Sequence, residues 1–176
     1  MLSRLEELAL VTRCVAADDR NAFGRLVKEY SPGLRRFLLN LTLGDASLTD
    51  DLSQETFLKA YTSIRSFQGL SRFKTWLYRI ACNEFYTYMR KHKEGFGDAG
   101  ETPSEELSFS HHATEARIDV QTCLKALTRT ERTIVLLFYL EDQPIKKIAE
   151  ITSLPQGTIK SYLSRARVKM AKVLQS

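Results

Sequence analysis

No apolar run in this chain approaches the ~18 residues needed to cross a bilayer, so the sequence predicts no transmembrane helix. The first residues, MLSRLEELALVTR, carry acids within their apolar pattern and no cleavage-site signature, so residence in the cytoplasm is expected. Cysteine is scarce and odd in number: Cys14, Cys82 and Cys123 stand far apart with no CxxC spacing. That argues against a disulfide framework or a zinc site and for buried or half-buried free thiols. Histidine is scarcer in useful places. His92, His111 and His112 are the only ones, and neighbours such as His111 and His112 make poor metal geometry, so they read as solvent-exposed. The acidic pairs Asp18-Asp19, Asp50-Asp51 and Glu105-Glu106 are adjacent in sequence, so their side chains diverge. A nucleic-acid enzyme would need a convergent carboxylate cluster, a metal set or a nucleophile with its base. The sequence offers none, and neither enzyme activity nor a cofactor or metal is expected.

One further absence is informative. From Gln156 to Ser176 there is no acidic residue, while Lys160, Arg165, Arg167, Lys169 and Lys172 are basic. The whole chain, with 43% hydrophobic and 27% charged residues, has a globular composition, and its net charge of +5 suits a polyanionic partner if the charge is clustered. The C-terminus is such a cluster. Pro144 to Ser176 has the layout of a helix-turn-helix: a short amphipathic helix with Ile145, Ile148 and Ala149, a break at Ser153-Leu154-Pro155, and a longer helix from about Gln156. In the longer helix Ile159, Leu163, Ala166, Met170 and Val173 form one apolar stripe. Thr158, Ser161, Arg165 and Lys172 fall opposite it, with Lys160 and Arg167 on one flank and Tyr162 and Lys169 on the other. Cations there would neutralise phosphates, and small polar side chains would reach base edges in a major groove. A basic, merely solvated terminus is the plainer alternative. In the turn, Ser153 or Gln156 could cap, Pro155 suits a first helical turn, and Gly157 would let the backbone approach a neighbouring helix or a phosphate.

Upstream, the pattern Leu5, Leu8, Ala9, Thr12, Val15 predicts a first helix, and Asp18-Asp19 ends it and caps the next. Ala22, Phe23, Leu26, Val27 and Tyr30 continue in helical spacing. Pro32-Gly33 is expected to interrupt it before Leu34, Phe37, Leu38 and Leu41 resume. A loop over residues 43–49 precedes the helix TDDLSQETFLKAYTSI. One side of that helix, Phe57, Ala60, Tyr61 and Ile64, reads as core. Another carries Asp51, Gln54, Glu55 and Leu58, where the acids fit compensation of the helix dipole and Leu58 points equally to a protein-docking face. From Phe67, the segment FQGLSRFKTWLYRIACNEFYTYMRKHK interleaves Arg72, Lys74, Arg79, Arg90, Lys91 and Lys93 with Phe67, Phe73, Trp76, Tyr78, Phe85, Tyr86 and Tyr88. Trp76, Ile80 and Tyr86 can be core, yet so many aromatics exceed one buried stripe. A basic, aromatic-rich surface is what unstacked bases bind. Residues 92–115 lack periodicity and are rich in Gly, Ser, Thr and acids, which predicts a flexible linker between two helical domains. A helix over 116–127 follows, then another opened by Thr130-Glu131-Arg132, whose IVLLFYL run must be buried on most sides.

Four stretches in order, DDRNAFGRLVKEY, DDLSQETFLKAY, FKTWLYRIACN and IAEITSLPQGTIKSYLSRAR, resemble the bacterial RNA polymerase sigma factors of the extracytoplasmic-function group, over essentially the whole chain. The resemblance implies an all-α fold of two small domains. Residues 1–91 would dock on polymerase and open the minus-10 element, 92–115 would be an acidic linker running through the polymerase channel, and 116–176 would read the minus-35 element as duplex. It implies contacts of Asp50, Asp51, Gln54, Glu55 and Leu58 with the clamp helices of the polymerase largest subunit, and a further contact with the flap of the second subunit. It assigns minus-10 DNA to Arg72, Lys74, Trp76, Arg79, Asn83, Tyr86, Arg90 and Lys91. Minus-35 DNA falls to Pro155, Gly157, Thr158, Lys160, Ser161, Tyr162, Arg165 and Lys169. An anti-sigma factor, often membrane-anchored in that family, is the implied regulatory partner. The chain departs from the family pattern at Thr87, where aspartate is frequent, and at Tyr162, where arginine is common; both departures bear on promoter preference. The rival reading is a helix-turn-helix regulator that binds duplex without polymerase, which leaves the aromatic segment and the helix from Thr49 to Ile64 without a role.

Overall fold

The computed structural model describes residues 2–93 and 115–175. Among them it contains helices and no strand: α1 (Arg4–Ala17), α2 (Arg20–Leu41), α3 (Ala46–Thr62), a 3-10 turn (Ile64–Ser66), α4 (Phe73–Lys93), α5 (Glu115–Lys125), α6 (Arg129–Val135) running into a wider π-helical turn (Leu136–Leu140), α7 (Ile145–Thr152) and α8 (Gln156–Leu174). The expected linker, with His111 and His112, falls mainly on residues 94–114, outside the described ones. No helix among the described residues is long and apolar enough to cross a membrane.

Local chemistry sets the helix boundaries. Ser3 and Glu6 form a reciprocal capping box at the start of α1, and Thr128 and Glu131 do the same for α6. Asp18 ends α1 in the left-handed region (φ 49°), and the Asp19 carboxylate then accepts from the Ala22 amide to open α2. Asp45 caps α3 by accepting from Leu48, so that helix begins earlier than the sequence suggested and shortens the expected loop.

The expected break at Pro32-Gly33 does not occur. Helix α2 passes through Pro32, because Tyr30, Leu34, Phe37, Leu38 and Leu41 along it are all buried and their packing outweighs the lost hydrogen bond. Pro32 and Lys28, whose carbonyl loses its partner, both lie on the exposed side where water can take that place. Gly33 has a packing reason. A Cβ there would lie 3.3 Å from the Tyr78 hydroxyl of α4.

In the N-terminal unit α1 packs on α2, α2 on α3 and α3 on α4. Leu26, Leu34, Phe37, Phe73, Leu77 and Phe85 lie at its centre. The core side of α3 is Leu48, Thr49, Leu52, Thr56 and Ala60; Ile64 is buried just beyond the helix, while Phe57 and Tyr61, expected in that stripe, are half-buried. In the C-terminal unit α5, α6 and α7 each pack against α8, around Leu127, Ile134, Leu137, Ile148, Ile159 and Leu163. The IVLLFYL run is buried through Leu137, after which the π-helical turn brings Tyr139 to the surface. All three cysteines are buried and unbridged, and burial pushes the Cys82 thiol up to about 12.

The two units touch. Helix α7 packs on α4, and α6 with the π-helical turn packs on α2. At this contact the buried Arg132 guanidinium donates to the carbonyls of Leu124 (3.0 Å), Leu127 (3.2 Å) and Leu41 (3.2 Å), which joins the end of α5 to the end of α2. Burial, helped by the nearby Arg129 charge, lowers its pKa to about 10, still high enough to keep it charged near neutral pH.

Candidate polymerase and nucleic-acid interfaces

Helix α3 presents Asp51, Gln54, Glu55 and Leu58 in one exposed row, on the side away from Leu52, Thr56 and Ala60. Leu58 is 56% exposed. Glu55 lies 3.7 Å from Lys59, a weak surface pair. Asp50 stands apart from the row. Its carboxylate accepts from Arg35 at 2.8 Å, which ties α3 to α2.

The aromatics of α4 and of the turn before it are divided between core and surface. Phe73, Tyr78 and Phe85 are buried, whereas Phe67, Trp76, Tyr86 and Tyr88 are half-buried. Phe67, Phe73 and Trp76 form a cluster with centroids 5.4–5.8 Å apart. Trp76 packs against these rings and lines a cleft of about 350 Å³, together with Gln68, Leu70, Thr75, Arg79 and Glu150. Gly69, at φ 69°, makes the turn that shapes this cleft, and Leu70 beside it is 82% exposed. Gln68 and Leu70 line the cleft without having been singled out from the sequence, where the glycine ahead of the helix was the available signal. Arg79, Asn83, Arg90 and Lys91 are exposed, and the first three fall on one face with Tyr86 by helical spacing.

Two basic residues of this segment are engaged within the fold. The Arg72 Nε donates to the buried Glu7 carboxylate at 2.6 Å and its Nη2 to the Leu2 carbonyl at 2.8 Å, pinning α1; Tyr30 donates to the same carboxylate. Lys74 lies 2.8 Å from Glu141, a residue of the C-terminal unit whose side chain is 1% exposed. That carboxylate also accepts from the Tyr78 hydroxyl at 2.8 Å and from Arg36 at 3.3 Å. Burial, then the Glu141 charge, pushes the Tyr78 phenol far above its usual value. Tyr86 shares a 2.9 Å hydrogen bond with Thr133, again across the two units.

The apolar stripe of α8 is seated as its spacing predicts: Ile159, Leu163 and Ala166 are buried, and Met170 and Val173 half-buried. Pro155, Gly157, Lys160, Ser161 and Arg165 are exposed, with Thr158 and Tyr162 half-exposed beside them. The Arg165 guanidinium lies 4.6 Å from the centre of the Tyr162 ring, so the tyrosine orients it. Neither expected cap operates. Ser153 is left-handed (φ 58°) and ends α7, Gln156 is inside α8, and the N-cap Pro155 makes no side-chain bond, so the leading amides of α8 lack a side-chain cap. A Cβ on Gly157 would meet nothing within 4 Å, which removes the close-helix reason for that glycine. Lys169 departs from the basic face: its ammonium lies 2.7 Å from the buried Glu131. Burial alone would raise the Glu131 carboxyl, but Lys169 and the Thr128 amide outweigh it and hold it below its usual value. No cluster of potential metal ligands occurs among the described residues.

Comparison with known proteins places these surfaces in a family context. The Sigma-70 region 2 family matches residues 26–94, and Sigma-70, region 4 matches residues 117–170. The chain is 32% identical over 194 residues to the ECF RNA polymerase sigma-E factor of Haemophilus influenzae, covering 99% of this chain and 98% of that protein. It is 29% identical over 175 residues to the ECF RNA polymerase sigma factor SigW of Bacillus subtilis, covering 92% and 93%. Among solved structures it resembles the sigma factor RpoE in complex with the anti-sigma factor NepR from Bartonella quintana, at TM-score 0.71 and 28% identity over 87% of this chain and 96% of that one. CnrH in complex with the cytosolic domain of CnrY has the same fold, at TM-score 0.72 and 21% identity over 97% of each chain.

Proposed function

Because the chain belongs to the extracytoplasmic-function RNA polymerase sigma factors, which direct promoter-specific initiation of transcription, we propose how its surfaces divide that task. The exposed α3 row of Asp51, Gln54, Glu55 and Leu58, with Asp50 at its edge, docks on the clamp helices of the polymerase largest subunit. The α4 face and the cleft beside Trp76 receive the opened minus-10 strand. Arg79, Arg90 and Lys91 neutralise phosphates there, Asn83 offers amide hydrogen bonds, and Trp76 at the cleft stacks a base, a contact worth ~1–3 kcal/mol. Helix α8 reads the minus-35 duplex: Lys160 and the uncapped leading amides meet phosphates, while Thr158, Ser161 and Arg165 reach base edges. Residues 1–91 and 116–176 are the two working domains on this reading. The flap of the polymerase second subunit is the partner of the second domain. An anti-sigma factor is the regulatory partner, as NepR is for the similar RpoE.

The observation that carries this reading is the α3 row. An acidic stripe with an uncovered leucine serves no purpose in a free DNA binder, and it sits in the same chain as two separate basic surfaces. Each DNA surface is small, so affinity is expected to come from tethering both to polymerase rather than from the free protein. Run-off transcription tests this. The purified chain, added to sigma-free core polymerase on pooled genomic promoter fragments, is expected to yield discrete transcripts, and Asp51→Arg/Glu55→Arg to lose them together with core binding. Sequence-specific duplex binding by the free protein with no transcript would instead support the polymerase-independent regulator.

A further inference from the structure

Helix α1 lies ahead of the stretch that matches Sigma-70 region 2, residues 26–94, and none of its residues is assigned above to DNA or polymerase. Yet it holds one wall of the cleft beside Trp76. That wall is the turn over residues 67–71, between the 3-10 turn and α4. Among the described residues the amides of 68–71 make no backbone hydrogen bond, so the turn takes its shape from the side chains around it. At its first residue, Phe67 packs on Phe73 and Trp76 of α4. Further along, the holds come from α1 and the residue just ahead of it. The Arg4 Nη2 donates to the Gly69 carbonyl at 3.4 Å, and Leu8 covers the same glycine, where a Cβ would lie 3.1 Å from the leucine Cδ2. Past the turn, Arg72 donates to the Glu7 carboxylate at 2.6 Å and the Leu2 carbonyl at 2.8 Å. Helix α1 is itself fixed to α2, through the Tyr30 hydroxyl on Glu7.

We propose that α1 is a brace for base capture: through Arg4, Glu7 and Leu8 it keeps the 67–71 turn in place, so that the cleft beside Trp76 stands preformed for one extruded base of the minus-10 strand. The inference rests on the assignment of that cleft to the opened strand. The space behind the turn makes a brace necessary. Phe67, Gln68 and Gly69 also border a second hollow of about 290 Å³, whose far side is formed by Val11, Thr12, Val15 and Ala16 of α1. The turn is thus a thin partition between two spaces. Without its hold at Gly69 it has room to fall back from Trp76 and widen the cleft. Gln68, exposed on the partition, carries the amide that meets a base edge, and Trp76 the ring that stacks on it; the turn sets their separation. A site already held in its binding geometry loses less freedom on capture, so the brace raises affinity without touching the base. Arg4, Glu7 and Leu8 are positioning residues on this account, and α1 contributes to promoter opening with no DNA contact of its own.

The test uses the full-length protein on core polymerase and forked promoter DNA whose non-template minus-10 strand is already single, with an abasic site placed at each minus-10 position in turn. The wild type is expected to lose affinity at one position above all, that of the captured base. Arg4→Ala should weaken binding to the intact fork about threefold, in keeping with one exposed hydrogen bond. Leu8→Ala should weaken it about fivefold through the loosened turn, and Leu8→Met, which keeps apolar volume against Gly69, should recover most of that loss. With the abasic site at the captured position, wild type and variants should bind alike, because the brace has no base left to serve. A merely structural lesion would keep its deficit there. A deficit that persists at every abasic position, or no deficit in either alanine variant, overturns the brace and leaves base capture standing. If no abasic position weakens the wild type, the capture assignment falls and the brace with it. Should Leu8→Ala fail to fold, Arg4→Ala, at an exposed residue, decides alone.

Discussion

Helices α4 and α8 carry the same sign of charge and put it to different uses. On α8 Arg165 is exposed opposite a packed stripe and Lys160 on its flank, while Lys169 is drawn inward to Glu131 and Arg167 donates to the Tyr139 hydroxyl at 2.8 Å. Around α4 the first cations are structural, with Arg72 holding α1 through Glu7 and Lys74 holding the C-terminal unit through Glu141, so its exposed charge begins at Arg79. A count of basic residues therefore overstates the charge left available at both helices, with two cations tied to buried acids around α4 and one on α8. Electrostatic availability is decided by buried acids elsewhere in the chain.

The largest effect that would test this contrast is on stability. Arg72→Ala leaves Glu7 buried with only Tyr30 to satisfy it and is expected to cost about 3 kcal/mol in chemical denaturation. A cost near zero would return Arg72 to the DNA-binding set. Lys169→Ala should cost about 2 kcal/mol for the same reason, through Glu131, although one exposed flank of the lysine moderates it. If it instead weakens duplex binding with unchanged stability, α8 is more uniformly a DNA face than its ion pair indicates. Arg165→Ala should leave stability within about 0.5 kcal/mol and weaken minus-35 duplex binding by the polymerase complex by ~1–3 kcal/mol, measured by competition at fixed salt. The smallest effect is in pH. Because the folded Glu131 carboxyl lies below its usual 4.5, its contribution is present above that value and is lost as pH falls through the folded one. Acid titration of stability should show this loss in the wild type and a shallower one in Glu131→Gln.

What the sequence made legible was periodic. The α8 stripe, the exposed α3 row, the buried cysteines and the helix change at Asp18-Asp19 each follow from spacing or from one residue's chemistry. Pro32 misled because a local breaker was weighed without the buried residues on both sides of it, whose burial is a tertiary fact. The capping assignment before α8 failed for a narrower reason: the left-handed turn at Ser153 used the serine to end one helix rather than to start the next. The pairs that define the α4 surface left no trace in spacing. Arg72 and Glu7 are 65 positions apart, and Tyr78 and Glu141 are 63. No periodicity links them.

Arg132 has a consequence of its own. The carbonyl ends of α2 and α5 both carry partial negative charge, and packed together they would repel. One planar guanidinium, with several donors in a fixed fork, answers both ends at once, two carbonyls on one helix end and one on the other. A lysine at this position would bring the same charge as a single point, satisfy one end well and leave the other facing its like. The junction therefore depends on the shape of the cation as much as on its charge.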